Sequence, residues 1–353
     1  MDNNIGRLAA ALVIVAIVIA ALYFASAVFE PVAFSLLAMA IVWPLQKNLQ
    51  GLMPKALALI VTLLVTLVVV VTLTSMIAWG GGQIAQWLTR NFDRLQALYA
   101  SSTLWLEQHD IFIASMVAER FNVGWMLRLF QQIAVRLNSM IGFSLLILIF
   151  LTMGLIEAEA FAKNLSALGK EPNGARLIEA GVKIGKKIRR YMQVRTLASL
   201  LTGLIVWAFS LAVGLELAAA WGAISFALNY IPFLGPLLAT VLPTAFAFAQ
   251  TGSWELAVLV LVTLTFVQFM IGSYLEPLFT AKTLAISPFF VVFSVFFWGF
   301  IWGLPGTLIG VPIAIACLTI CEQYPGSRWI AALLSGQPPA AQPDDANAFT
   351  RLP

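Results

Sequence analysis

The chain has 353 residues, 61% hydrophobic and 10% charged, with mean hydropathy +0.94; no water-soluble fold of that length could bury so much apolar surface, which leaves a polytopic membrane protein. Its net charge is +4, but the Lys and Arg residues cluster in short loops between apolar runs, as the positive-inside rule requires, and no nucleic-acid role is needed to explain them. A single histidine, His109, excludes histidine-rich metal centres, and Cys317 and Cys321, four apart in an apolar run, indicate buried small side chains and no disulfide framework.

Leu8 to Phe29 is an apolar run of 22 residues behind Arg7, long enough to cross a bilayer. Ala25-Ser26-Ala27 matches a signal-cleavage pattern, but the run exceeds a usual signal core and another apolar run follows Glu30-Pro31 at once, so it is read as a span. Val32 to Leu45 is shorter, the Lys47 to Lys55 loop follows, and Ala56 to Trp79 is a clear 24-residue span that Gly80-Gly81-Gly82 should end. From Gln83 to Ser139 the pattern turns amphipathic. Ile84, Leu88, Leu95, Leu98 and Tyr99 recur at helical spacing against Gln86, Arg90, Asp93 and Arg94, and Trp125, Leu129, Ile133 and Leu137 form a second apolar face. These helices should lie outside the bilayer core, as a solvated subdomain or a surface where protomers meet.

Ile141 to Ala162 spans again, with Glu157 and Glu159 near its end. Lys163 to Arg195 then carries nine of the twenty basic residues, which places it in the cytoplasm. Leu177, Ile184, Ile188 and Tyr191 or Met192 give the same stretch an apolar stripe, so it should lie along the inner leaflet and attract anionic lipid. Thr196 to Leu215 and Trp254 to about Ser273 are further spans. Arg7, the Lys47 to Lys55 loop, Lys163 to Arg195, Lys282 and Arg328 all fall inside under one topology, with both termini cytoplasmic.

Two apolar segments are broken in the middle. In Leu217 to Ala249 the break is Asn229-Tyr230-Ile231-Pro232-Phe233-Leu234-Gly235-Pro236. Each arm is about 13 residues, or about 20 Å of helix against a bilayer core of about 30 Å, so neither crosses alone. Two prolines and a freely turning glycine make continuous helix unlikely there, and a hairpin with its tip at membrane depth is expected. Trp298-Gly299-Phe300-Ile301-Trp302-Gly303-Leu304-Pro305-Gly306 breaks the second segment, from Leu284 to about Ile320. Irregular backbone survives at membrane depth only inside protein or beside a water-filled cavity, and paired broken segments point to a transporter's binding site. The first hairpin should open outward and the second inward, in the outline of an inverted repeat whose tips meet around a solute.

Between Thr196 and Ala281 there is no Lys, Arg or His, so the solute should be neutral and polar, or a cation. Candidate contacts are Asn229 and the freed backbone at Pro232, Gly235 and Pro236 in the first tip, and that at Gly303, Pro305 and Gly306 in the second. Gln268 and Glu276 complete the set; a carboxylate near bilayer depth is a functional candidate, or else it caps a helix at the interface. Gly299 and Gly303, and Gly306 and Gly310, repeat the small-xxx-small spacing of close helix packing. No phosphate-binding loop, His-Glu-x-x-His or Gly-x-Ser-x-Gly motif occurs, so neither an ATP-driven pump nor a readable hydrolase is indicated, and no cofactor or metal is expected.

The fold class is therefore all-α and polytopic, with about six full spans, two interrupted helical hairpins and an amphipathic extracytoplasmic helical region. The chain divides into a transmembrane scaffold (1–82), the amphipathic region (83–139), a span (140–162), the basic cytoplasmic amphipathic helix (163–195), a transport core with both hairpins (196–335) and a disordered tail (336–353).

Asn229-Tyr230-Ile231-Pro232-x-x-Gly235-Pro236, Glu276-Pro277, Leu284-x-x-Ser287-Pro288 and Trp298-Gly299-x-x-Trp302-Gly303-x-x-Gly306 with Val311-Pro312 together resemble the autoinducer-2 exporter (AI-2E) family of bacterial transporters, and within it the YdiK-like group. The similarity covers roughly Leu8 to Leu334. It implies a multipass permease of the inner membrane, homo-oligomeric, exporting small polar solutes by a secondary mechanism. Some family members are assigned sodium or lithium per proton exchange, so the alternative function is a monovalent cation/proton antiporter in which Glu276, or Glu157 and Glu159, carries the proton.

Overall fold

A computed structural model describes residues 2–108, 123–168, 172–276 and 286–335. His109, Pro277, Lys282, Leu284 and the 336–353 tail lie outside the described residues. The helices are α1 (Asp2–Phe24), α2 (Ser26–Gln50), α3 (Lys55–Arg90), α4 (Phe92–Gln108), α5 (Val123–Leu168), α6 (Pro172–Ala212), α7 (Ala218–Leu228), α8 (Leu234–Thr251), α9 (Trp254–Met270), α10 (Pro288–Gln323) and α11 (Arg328–Ser335). No strand occurs among the described residues. Seven described helices are long and apolar enough to cross a membrane, so the chain is an all-α polytopic membrane protein. Two of the seven, Leu234–Thr251 and Pro288–Gln323, belong to the broken hairpins. The remaining five stand against the six spans expected; the apolar part of α1, Leu12–Phe24, is shorter than a full span.

Several boundaries differ from the sequence reading. The first break falls at Ala25, six residues ahead of Pro31, and α2 runs on through that proline. Helix α3 runs through Gly80-Gly81-Gly82 to Arg90. Gly80 serves there as a contact point: a Cβ on it would sit 3.2 Å from Ile224 Cγ1 and 3.4 Å from the Ala220 carbonyl. The amphipathic stretch at 125–137 continues into the following span as the single 46-residue helix α5, and the basic stretch from Pro172 onward continues into its span as α6. The second apolar face, Trp125 to Leu137, lies outside the residues whose side chains are described.

The described residues form two compact units. One draws on Met1–Ile41, Gly154–Met192 and Thr280–Pro353, the other on Val42–Met153 and Gln193–Phe279.

The second unit contains the first hairpin. Its apolar core gathers Ile84, Trp87, Leu88 and Leu95 from α3 and α4 with Val206 of α6, Trp221 of α7, Phe246 of α8, and Val260 and Leu264 of α9. Ile84, Leu88 and Leu95 thus bury the apolar face read from sequence, while Gln86, Arg90, Asp93 and Arg94 stay exposed. Trp87 and Trp221 flank Phe246 with ring centroids 4.5 and 5.1 Å away. The Trp87 indole donates to Glu216 at 2.5 Å, and the Gln250 amide ties this loop down by accepting from Glu216 N–H at 2.9 Å and donating to the Gly214 carbonyl at 3.1 Å. Gly252 caps α8 in the left-handed conformation, and Ser253 starts α9 by accepting from Leu256 N–H at 3.2 Å.

The first unit contains the second hairpin. Ile301, Trp302 and Ile309 are buried against Ile19, Leu22, Phe34 and Leu37 of α1 and α2, and the Trp302 indole donates to the Leu22 carbonyl at 3.0 Å. Lys187 reaches Glu322 at 2.8 Å, and Arg189 donates to the Ala40 carbonyl at 2.9 Å.

Candidate functional site

The first tip forms because Pro232 lacks an N–H and the chain must reverse before Pro236. Helix α7 ends at Leu228 and α8 begins at Leu234. Between them Leu234 N–H donates to the Pro232 carbonyl at 2.7 Å around Phe233, at φ 62° and ψ −54°. That is a γ-turn with positive φ, rare and strained for a side chain of this size. The sequence assigns the conformational freedom to Gly235, but the structure puts the positive φ on Phe233 and uses Gly235 differently. A Cβ on Gly235 would lie 2.0 Å from the Leu228 carbonyl oxygen and 3.1 Å from Asn229 Cα, so its lack of a side chain lets α8 start against the end of α7.

The second tip, in its own unit, also turns at a residue of positive φ. Helix α10 is interrupted at Gly303, at φ 65° and ψ −142°, a conformation open essentially to glycine alone. The arms then fold antiparallel. Ser294 Oγ donates to the Gly310 carbonyl at 2.7 Å, and Cβ atoms on Gly299 and Gly306 would meet Thr307 Cγ2 at 2.8 Å and the Trp298 carbonyl oxygen at 1.9 Å. Gly299, Gly306 and Gly310 are therefore packing glycines, whereas Gly303, which the spacing pairs with Gly299, has nothing within 4 Å of its Cβ position and serves the turn. Aligning the tips on their positive-φ residues, Phe233 and Gly303, pairs Tyr230 with Phe300, Ile231 with Ile301 and Leu234 with Leu304. Sequence comparison misses this match, because the shared feature is a backbone angle carried by phenylalanine in one tip and glycine in the other.

Asn229, Pro232 and Gly235 are buried and Pro236 is half-buried, all at the first tip. Gly306 is buried, Pro305 half-buried and Gly303 exposed, at the second. Asn229 is 1% exposed and its Nδ2 has no hydrogen-bond partner among the described residues, nor has the buried Nε2 of Gln268. Helix α9 ends in a wider π-helical turn, Ile271–Leu275, a local irregularity often found at functional sites, and Glu276 follows it.

Glu276 is bonded to Arg195. Arg195 sits one residue before the segment free of basic charge, and composition alone groups it with the basic loop. The available signal was helical spacing: Arg195, Ser199 and Thr202 lie on one face, and a basic residue at the end of such a stripe turns with it into the core. The side chain of Arg195 is 7% exposed and that of Glu276 28%, so the guanidinium is desolvated and the carboxylate is its counter-charge. Glu157 and Glu159 lie in the other unit, exposed and half-buried respectively. No group of three or more metal-ligating side chains occurs among the described residues.

The profile described as AI-2E family transporter matches residues 12–326. Over 198 residues, 56% of either chain, the sequence is 33% identical to "AI-2 transport protein TqsA" of Escherichia coli K12. It is 30% identical over 203 residues, again 56% of either chain, to a "Putative transport protein" of Borreliella burgdorferi. With "Putative transport protein YhhT" of E. coli K12 it shares 32% identity over 159 residues, 45% of either chain. The alignments span about half the length of these relatives.

Proposed function

Since the chain belongs to the AI-2E transporter family, we propose that it is a secondary transporter or facilitator exporting a small, uncharged polar solute across the bacterial inner membrane. The observation that carries this reading is Asn229, a buried amide at the strained tip of a broken hairpin whose Nδ2 has no partner in the described chain. A buried donor left unpaired costs about 1–3 kcal/mol, and a polar solute that accepts from it recovers that cost. Gln268 supplies a second such donor, and the backbone at Pro232, Gly235 and Pro236 shapes the tip. Gly303, Pro305 and Gly306 have the corresponding role in the second tip. Glu276 contributes as the counter-charge of Arg195, and no observation favours cation/proton antiport through it or through Glu157 and Glu159.

The basic loops support a topology with both termini and the 163–195 segment in the cytoplasm, and anionic lipid against that segment. The family resemblance supports a homo-oligomer as the working form. The name of the E. coli relative makes AI-2 the first solute to test. Purified protein in proteoliposomes, loaded with AI-2 or with labelled erythritol, is assayed for efflux with and without a pH gradient. Protein-dependent efflux that does not require the gradient supports a facilitator, and gradient-driven efflux supports coupling to protons. Efflux no faster than from protein-free vesicles for every neutral polar solute tried overturns the reading.

A further inference from the structure

The partnerless donors at Asn229 and Gln268 belong to a longer set. Ser199, Thr202 and Ser225 are 0% exposed, and their hydroxyls on α6 and α7 have no partner among the described residues; nor has the buried Nε of Arg195. All belong to one compact unit.

They lie on one face of each of three helices. On α6 the stripe runs Arg195, Ser199, Thr202, Val206; on α7 it runs Trp221, Ser225, Asn229; on α9, Val260, Leu264, Gln268. Val206, Trp221, Val260 and Leu264 belong to a single apolar cluster, and the polar members follow it along each helix. At about 1.5 Å per residue, Thr202, Ser225 and Gln268 are each about 6 Å beyond it, and Ser199 and Asn229 about 10–12 Å. Arg195 and Glu276 are about 16–18 Å beyond it, consistent with their contact. Side-by-side packing of α6 and α7 is fixed by two glycines: a Cβ on Gly203 would meet Phe226 Cβ at 2.7 Å, and one on Gly222 would meet Trp207 Cβ at 2.6 Å. These antiparallel pairings set Thr202 beside Ser225 and Ser199 beside Asn229, in register with Tyr230, whose hydroxyl donates to Thr196 Oγ1 at 3.1 Å.

We propose that this seam, Arg195, Ser199, Thr202, Ser225, Asn229 and Gln268, is a hydrated solute-binding site for an uncharged molecule carrying several acceptor oxygens, and that Glu276 sets its charge selectivity by neutralising Arg195. Its lining is rich in donors: a guanidinium N–H, two amide NH2 groups and three hydroxyls. With Arg195 and Glu276 paired, the site carries no net charge, and an anionic or cationic solute would enter a low-dielectric space without a counter-ion. The carboxylate thus discriminates against anions that a lone arginine would attract. This rests on the transport reading above, but it is tested without a transported solute, so the two can fail separately.

Ser225→Cys and Thr202→Cys are made in a Cys317→Ser, Cys321→Ser background. Each is reacted in membranes with neutral methyl methanethiosulfonate and with its anionic sulfonatoethyl and cationic trimethylammonioethyl counterparts, rates being normalised to a free thiol. The lipid-facing Leu204→Cys serves as the dry control. The neutral reagent should modify the seam cysteines at least about tenfold faster than the control, and faster than either charged reagent. Glu276→Gln should raise the anionic rate about tenfold, Arg195→Gln should raise the cationic rate similarly, and the double variant should restore the parental order. Because the two single variants report opposite signs, either one that folds decides the charge claim. If the seam cysteines react no faster than the control, the site is dry and the proposal is wrong. Unchanged charge order in the single variants would refute the role of Glu276.

Discussion

Gly235→Ala adds one methyl group at the first tip, 2.0 Å from the Leu228 carbonyl oxygen and 2.7 Å from its carbonyl carbon. Carbon and carbonyl oxygen ordinarily stay more than about 3 Å apart, so the start of α8 must move by over about 1 Å. The obstructing atoms are backbone at the end of a helix and cannot swing aside as a side chain would. Overpacking of this kind costs about 1–3 kcal/mol, and a backbone obstacle argues for the upper end. The displacement falls on the turn that holds Asn229. Gly81→Ala is the matched control, since nothing lies within 4 Å of its Cβ position. Thermal melting in detergent and solute efflux per folded molecule in proteoliposomes are measured for both. Gly235→Ala should melt about 5 °C or more below the parent and lose about tenfold in efflux, with Gly81→Ala unchanged in both. Parental melting and parental efflux for Gly235→Ala would refute the claim that this contact holds the tip.

Phe233→Gly should remove the strain of a non-glycine residue at positive φ, about 1–3 kcal/mol, while losing only a half-exposed ring; a melting temperature at or above the parent's is expected, and a fall of several degrees would show that the ring is needed. Arg195→Gln or Glu276→Gln alone strands one member of an ion pair and should lower folded yield more than the double substitution does, a ranking read by fluorescence-detected gel filtration; a double variant worse than both singles contradicts the pairing. Reporter fusions at Gly174 and at the C-terminus should both indicate cytoplasm, and a periplasmic signal at either overturns the topology.

The class of the fold was legible because composition and run length leave few alternatives for so apolar a chain. Both hairpins were legible because proline and glycine act locally, on their own hydrogen bonds and dihedral angles. What failed was any inference in which a residue's role depends on a partner far along the chain. The Gly80-Gly81-Gly82 triplet looks like a stop, yet α3 continues through it, and Gly80 packs against Ile224. Changes of composition near residues 140 and 195 look like domain edges, but amphipathic and apolar stretches can share one helix, and α5 and α6 pass through both. Arg195 reads as part of the basic loop, although its own helical phase carries it to Glu276. Phe233 gave no sign, since nothing in the identity of a phenylalanine announces a positive φ.

The most direct test of a solute site at the first tip compares the parent with Asn229→Leu, which keeps the side chain's size and removes its donor. Proteoliposomes containing either protein are loaded with a neutral-metabolite extract, and what leaves them is identified by mass spectrometry. The parent should release at least one uncharged polar solute faster than protein-free vesicles, and Asn229→Leu, folded to the same extent, should release it at least about tenfold more slowly. Equal release by both proteins would contradict a site at Asn229, and no release above protein-free vesicles would contradict transport of this class of solute.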